Sequence, residues 1–324
     1  NMESAHPDTE TGRQRGLTEA FHLANCIACE VPLAPEILEP ALLLTAQLSY
    51  SIERVRNEEF FDRERMQGYD VFMTIYHSEK YGKSLRRVVE KELFENRKCE
   101  MLSGLTNVWS RIYYEENGKP KLNEIADIIS EGNRENRIKG ALLMMRWAFD
   151  RACGMRFEHR NIGKGQKTSE ENDEELLTRI FSAVLEMLRC EDTAVCSAAC
   201  WCAAWSGYNE ADIIPKEYVP DIVIKLIRLW TALNEPYEIR RCLSWAVCTN
   251  SQCDLKIEKT TQLSKAITEH VAHPKNDFDK DAAACVRLML GEITVKNLNE
   301  VKVSHELKKS RFLKELGYKE NEEE

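Results

Sequence analysis

The chain lacks any long apolar run. Its most apolar stretches, 138–145 and 194–205, are interrupted by Lys, Gly or Ser. None approaches the roughly 20 residues needed to span a bilayer, so no membrane insertion is expected. The N-terminal segment Met2-Glu-Ser-Ala-His-Pro-Asp has neither a basic flank nor an apolar core, and no secretory signal is expected there. Asn1 before Met2 fits a cloning scar or the edge of a fragment of a longer protein. Positive charge is also in short supply: 45 Lys and Arg stand against 54 Asp and Glu, a formal net charge of −9. That makes nucleic acid an unlikely partner, because phosphate contacts need a concentrated basic field. No stretch alternates apolar and polar residues as a half-buried strand does.

Catalytic signatures are missing as well. There is no nucleophile elbow, no Gly-rich dinucleotide loop and no His-Glu-x-x-His. The segment Gly163-Lys-Gly-Gln-Lys-Thr168 has Gln166 where a phosphate-binding loop needs its second Gly, and no strand leads into it. Cys26-Ile-Ala-Cys29 and His270-Val-Ala-His273 each offer two ligands where zinc takes four. A non-enzyme without cofactor or metal is therefore expected. The 12 cysteines do not suggest a disulfide scaffold. Cys196, Cys200, Cys202, Cys242, Cys248 and Cys285 sit among Ala, Leu, Val and Trp at helical spacing, where a free thiol acts as a small hydrophobe. Reduced, mostly buried thiols in an intracellular protein, cytoplasmic or nuclear, are the expectation.

What the chain does have is helical periodicity from end to end. The pattern predicts helices over 15–29, 36–66, 69–77, 84–94, 98–115, 122–130, 134–153, 173–188, 193–206, 260–273 and 279–291, with stops such as Asn117-Gly118-Lys119-Pro120 and Gly132-Asn133. Four tryptophans, Trp109, Trp147, Trp205 and Trp245, lie in runs of small and apolar residues at steps of 38, 58 and 40. The long step contains a polar stretch, 156–172, read as an inserted loop; without it the period stays near 40. Such a period in a helical chain points to stacked helical units that bury their apolar faces against one another. The expected fold is all-α, a right-handed α-solenoid. Residues 1–95 form an irregular helical region, 96–300 the repeats, and 301–324 a C-terminal helix with an acidic tail.

The small-residue second helices of these units resemble those of armadillo and HEAT repeats over about residues 96–293. The pattern Trp-Ala-x-x-Asn of armadillo peptide binders is approached by Trp205 with Asn209, by Trp147-Ala148 and by Trp245-Ala246. Arg151, Thr249 and Tyr113 stand where the Asn would be in the other units. The resemblance implies a non-enzymatic interaction module or scaffold for a partner protein or peptide. Its groove would centre on Trp147, Arg151, Trp205, Asn209 and Trp245. A residue four after a Trp lies one turn along the same helix face, so Asn209 would bond a ligand backbone and Arg151 would pair with acidic groups. The competing reading has the indoles packed between units as core. Two further functions stay open. One is a nucleic-acid-associated protein using segment 134–167, where nine Lys and Arg face three acidic residues. The other is the repeat region of a longer sensor or signalling ATPase.

Overall fold

The computed structural model describes residues 19–20, 22–47, 71–99, 103–161, 174–208, 213–232, 237–276, 278–299, 303–308 and 310–318. Among these residues the regular structure is helical, without strands, as the periodicity predicts. None of the described helices is long and apolar enough to cross a membrane. The chain divides into two compact units, 1–119 and 120–324. The division follows the helix bearing Trp109.

In the first unit, α1 (Pro35–Gln47), α2 (Val71–His77), α3 (Gly82–Glu90) and α4 (Ser103–Asn117) pack on one another. A π-helical turn, Lys91–Glu95, extends α3. Leu42, Phe72, Ile75, Leu85, Val89 and Leu105 form its core. Trp109 is only 2% exposed and meets Phe94 edge-on at 5.4 Å; it belongs to this core. On the surface Glu116 accepts from Tyr76 Oη at 2.7 Å and from Arg86 Nη1 at 2.6 Å. That first hydrogen bond, with burial and the carboxylate's charge, pushes the Tyr76 phenol up to about 12. Residues 48–66 of the expected second helix lie outside the described residues.

The second unit is built from helix pairs: α5 (Leu122–Ser130) with α6 (Arg134–Asn161), α7 (Glu174–Met187) with α8 (Thr193–Ser206), α9 (Val219–Trp230) with α10 (Tyr237–Asn250), and α11 (Thr261–Ala272) with α12 (Asp279–Met289). The lead helices are amphipathic. On α9, Val219, Ile222, Val223, Leu226, Ile227 and Trp230 recur at helical spacing and are buried. The second helices pack on one another in chain order, α6 on α8, α8 on α10 and α10 on α12. Being flanked on both sides, α8 is buried almost all round, which is why, apart from Thr193 and its tryptophans, it consists of Ala, Cys, Ser and Val. Beyond α12, a 3-10 turn (Val295–Asn299) and the short helices α13 (His305–Lys308) and α14 (Arg311–Glu315) complete the unit.

Local signals set the pair geometry. Gly132, at φ 77, makes the turn from α5 into α6 in the left-handed region open to glycine. Asp192 caps α8 by accepting from the Ala194 and Val195 amides at 3.1 and 3.2 Å. It also takes a hydrogen bond from Arg134 Nε, 2.8 Å away at the start of α6. Burial pushes the Asp192 carboxyl up, but the Arg134 hydrogen bond and charge, with the two amides, hold it below the ordinary carboxylate range. The close approach of α5 to α6 requires Gly140: a Cβ there would sit 2.6 Å from Ile129 Cβ and 2.9 Å from its Cα. Gly140→Val is expected to cost roughly 1–3 kcal/mol, the scale of overpacking a tight contact. A urea midpoint equal to wild type would contradict that packing.

Two differences from the sequence expectation concern α6 and the cysteines. Helix α6 continues to Asn161, past the expected end at 153 and into the first part of the expected insertion. Neither Gly nor Pro stands between Met155 and Ile162 to stop it; residues 162–173 lie outside the described set. Of the cysteines, Cys200, Cys202, Cys242, Cys248 and Cys285 are buried, while Cys196 is half-buried and Cys29 exposed. All the described cysteines are free thiols. Burial pushes the Cys202 thiol up to about 12. It raises Cys248 well above its usual value too, aided by Cys285, Asp281 and Asp279. Thiolate is the reactive form, so maleimide labelling of native protein should be slow at Cys200, Cys202 and Cys285 and fast after denaturation, with Cys29 as the rapid internal control. Rapid native labelling of all three would contradict this burial.

Candidate interaction face

Four aromatic rings from four successive helix pairs meet in a row. Phe149 of α6 lies edge-on to Trp205 of α8, centroids 4.7 Å apart and planes at 85°. Trp205 lies edge-on to Trp245 of α10 at 4.5 Å and 84°. Trp245 stacks on Phe278, just before α12, at 6.1 Å and 29°. Tyr208 leans on both indoles, 5.8 Å from Trp205 and 6.4 Å from Trp245. All five rings are half-buried. Trp201, 4% exposed, backs the row at 5.9 Å from Trp245. Edge-to-face pairs at these separations add about 0.5–1.5 kcal/mol each beyond their buried area, so the rings hold one another in place.

Small residues let the backbones come close enough for this. Ala148, Ala203, Ala204 and Ala246 are fully buried between α6, α8 and α10. Asn250 clamps the far ends of α8 and α10: its Nδ2 donates to the Ala203 and Ala246 carbonyls, each at 2.9 Å. Gly207 leaves room for it, since a Cβ there would lie 2.3 Å from Asn250 Oδ1. The clamp sets the registry of Trp205 against Trp245.

Arginines lie at the ends of the row. Arg146 Cζ sits 5.2 Å from the Phe149 centroid, and its Nε is 2.9 Å from Asp150 Oδ1, one turn along α6. Arg241 Cζ sits 5.5 Å from the Phe278 centroid. Of the residues expected from the sequence, Trp205 and Trp245 are brought together here. Trp147 is 8% exposed; Arg151 lies over its ring at 5.7 Å, and Phe149 rather than Trp147 represents α6 in the row. Asn209 lies outside the described residues, as do the side chains of 153–161 and all of 162–167 in the basic segment. Tyr208, Phe149, Phe278 and Arg241 were not anticipated. Arg241 had a signal: it precedes Trp245 by one helical turn.

A second constellation lies on the other side of α10, wholly inside the unit. Ser244, His270 and Asp279 have no exposure and Arg240 has 3%. Trp230 Nε1 donates to Ser244 Oγ at 3.0 Å, and Ser244 Oγ donates to Asp279 Oδ1 at 2.6 Å. Asn276 Nδ2 and the Lys275 amide donate to the same carboxylate, each at 2.8 Å. His270 stacks on the Trp230 ring at 4.0 Å and 11°, and its Nε2–H reaches the Trp230 carbonyl at 3.2 Å. Its Nδ1 lies 2.8 Å from Arg240 Nη2 and 3.3 Å from Asp279 Oδ1. Arg240 Nε is 3.6 Å from Asp279 Oδ2. Burial pushes the Asp279 carboxyl up, but His270, Ser244 and the Lys275 amide pull it further down, below the usual carboxylate range.

Although this set contains Ser, His and Asp, the serine proton points at the carboxylate rather than at the imidazole, and all of these side chains are buried. The network joins α9, α10, α11 and α12. Both nitrogens of His270 are engaged inside this network, while His273 is exposed. No protein-family model, curated protein or solved structure matches the chain, so the meaning of the aromatic row rests on its own geometry.

Proposed function

We propose that residues 120–324 form a right-handed α-solenoid of armadillo/HEAT-like units and act as a non-enzymatic interaction module. In this proposal the row Phe149–Trp205–Trp245–Phe278 receives a partner protein or peptide. The order in which second helices pack on one another supports the repeat reading, since each unit in such an array buries its face only against its neighbours.

The observation that carries the function is the partial exposure of the row. The chain buries other indoles fully: Trp230 is 1% exposed and Trp109 2%. The row rings, held by mutual contacts and by the Asn250 clamp, keep apolar surface in water. Contiguous aromatic surface on a rigid scaffold is what interface centres are made of, because large rings gain area on binding while losing few rotamers.

Selection from a library of random twelve-residue peptides on the full chain tests this. Sequences should be enriched on wild type and lost on a folded Trp205→Ala/Trp245→Ala variant. Equal enrichment on both proteins, or none on either, would remove the row as an interaction face.

A further inference from the structure

The two ends of the aromatic row differ in charge, and this difference specifies the ligand. At the α6 end Arg146 is already matched by Asp150 at 2.9 Å. At the other end Arg241, half-buried on α10, makes no ion pair among the described residues and rests against Phe278 at 5.5 Å. Its neighbour Arg240 faces inward to Asp279, so among the described residues the cation at this end without an ion pair is Arg241. A cation–π contact engages the face of the guanidinium's partner ring but consumes none of the N–H donors, whose forked geometry suits a carboxylate. In a chain of net charge −9 this is a local feature, not part of a general basic surface.

Resting on the proposal that the row is an interaction face, we infer that its ligand is an extended peptide with an acidic side chain anchored at Arg241. Apolar side chains then lie over Trp245 and Trp205. The spacing follows from the rings. Phe278 to Trp245 is 6.1 Å and Trp245 to Trp205 is 4.5 Å. An extended chain advances about 3.3–3.6 Å per residue and places alternate side chains on one side. An acid held at Arg241 therefore places the side chain about two residues away over Trp245, and the one about four residues away over the Trp205–Phe149 pair. Single-stranded nucleic acid, which also uses aromatic and arginine side chains, fits the row less well. Rings packed edge-to-face at 84° and 85° leave no parallel gap for a base, and a single arginine without an ion pair among the described residues does not track a phosphate backbone.

The test uses fluorescein-labelled peptides selected on the wild-type full chain, titrated by fluorescence polarisation. The selected sequences should carry Asp or Glu with apolar residues about two and four positions away. Arg241→Ala, folded as judged by its melt, should weaken them roughly tenfold, the scale of one charge-assisted hydrogen bond. Arg146→Ala should change binding by no more than about twofold, because its charge is already taken up by Asp150. Changing the peptide's acid to its amide should weaken binding to wild type and have no effect on Arg241→Ala. Peptides that depend on Trp205 and Trp245 but show no acid, or ignore Arg241→Ala, would overturn the charge anchor while leaving the interaction face standing. Peptides indifferent to Trp205→Ala/Trp245→Ala, or binding of a labelled oligouridine probe in place of any peptide, would overturn both.

Discussion

Replacing Asp279 by Ala is expected to lower the free energy of unfolding by roughly 3–5 kcal/mol, the cost of leaving a buried charge without its partner. The carboxylate has no exposure and collects protons from Ser244, Asn276 and the Lys275 amide, with Arg240 beside it. Removing it strands these donors and the guanidinium in a site water does not enter. Asp279→Asn should be little better, because an amide nitrogen would face a shell made of donors. Urea unfolding checks both; a loss under about 1 kcal/mol for either variant would contradict the network, since even one unsatisfied buried donor costs that much.

The same carboxylate gives the fold an acid dependence. Folding holds Asp279 and Asp192 below the ordinary carboxylate range, so the native state binds fewer protons than the unfolded chain. Their contribution is complete above the unfolded carboxylate range and is lost as pH falls through their lowered values. Asp281 acts in the opposite sense. Burial raises it despite hydrogen bonds from the Ser304 hydroxyl and amide, and its cost to the native state is relieved by protonation.

Trp230→Ala should cost roughly 3–5 kcal/mol, the range for truncating a buried aromatic. The indole is 1% exposed, stacks on His270 and supplies the proton that Ser244 accepts. Trp230→Phe keeps the stacked ring but withdraws that proton and should cost about 1 kcal/mol more than the ring exchange alone. Chemical denaturation of the two variants separates ring from hydrogen bond. Equal, small losses would mean that the indole is not part of this network.

The helices were legible in the sequence because their signals are local. Apolar spacing on 122–130 and 193–206 and the stops at Gly118, Pro120 and Gly132 give α5, α8 and the end of α4 within a residue or two. The end of α6 was not legible, since a polar but unbroken stretch reads equally as loop or as exposed helix. The tryptophan period found the second helices but not which side of each faces the row. That side depends on how α6 rolls against α8, and Phe149 lies about 200° around the helix from Trp147. Phe278 stands before α12, where there is no helical period to read. The Arg240–Ser244–His270–Asp279 cluster draws four polar residues from three helices, each of which reads alone as surface. Only their convergence shows that their polarity is satisfied inside.

The unfolding free energy of Trp205→Ala separates most directly the proposed role of Trp205 in the face from a role in the core. The expected loss is about 1–2 kcal/mol, from ring contacts on a half-buried side chain, well below that of Trp230→Ala. A loss of roughly 3–5 kcal/mol, as for a fully buried aromatic, would place the indole in the core and contradict the proposed face.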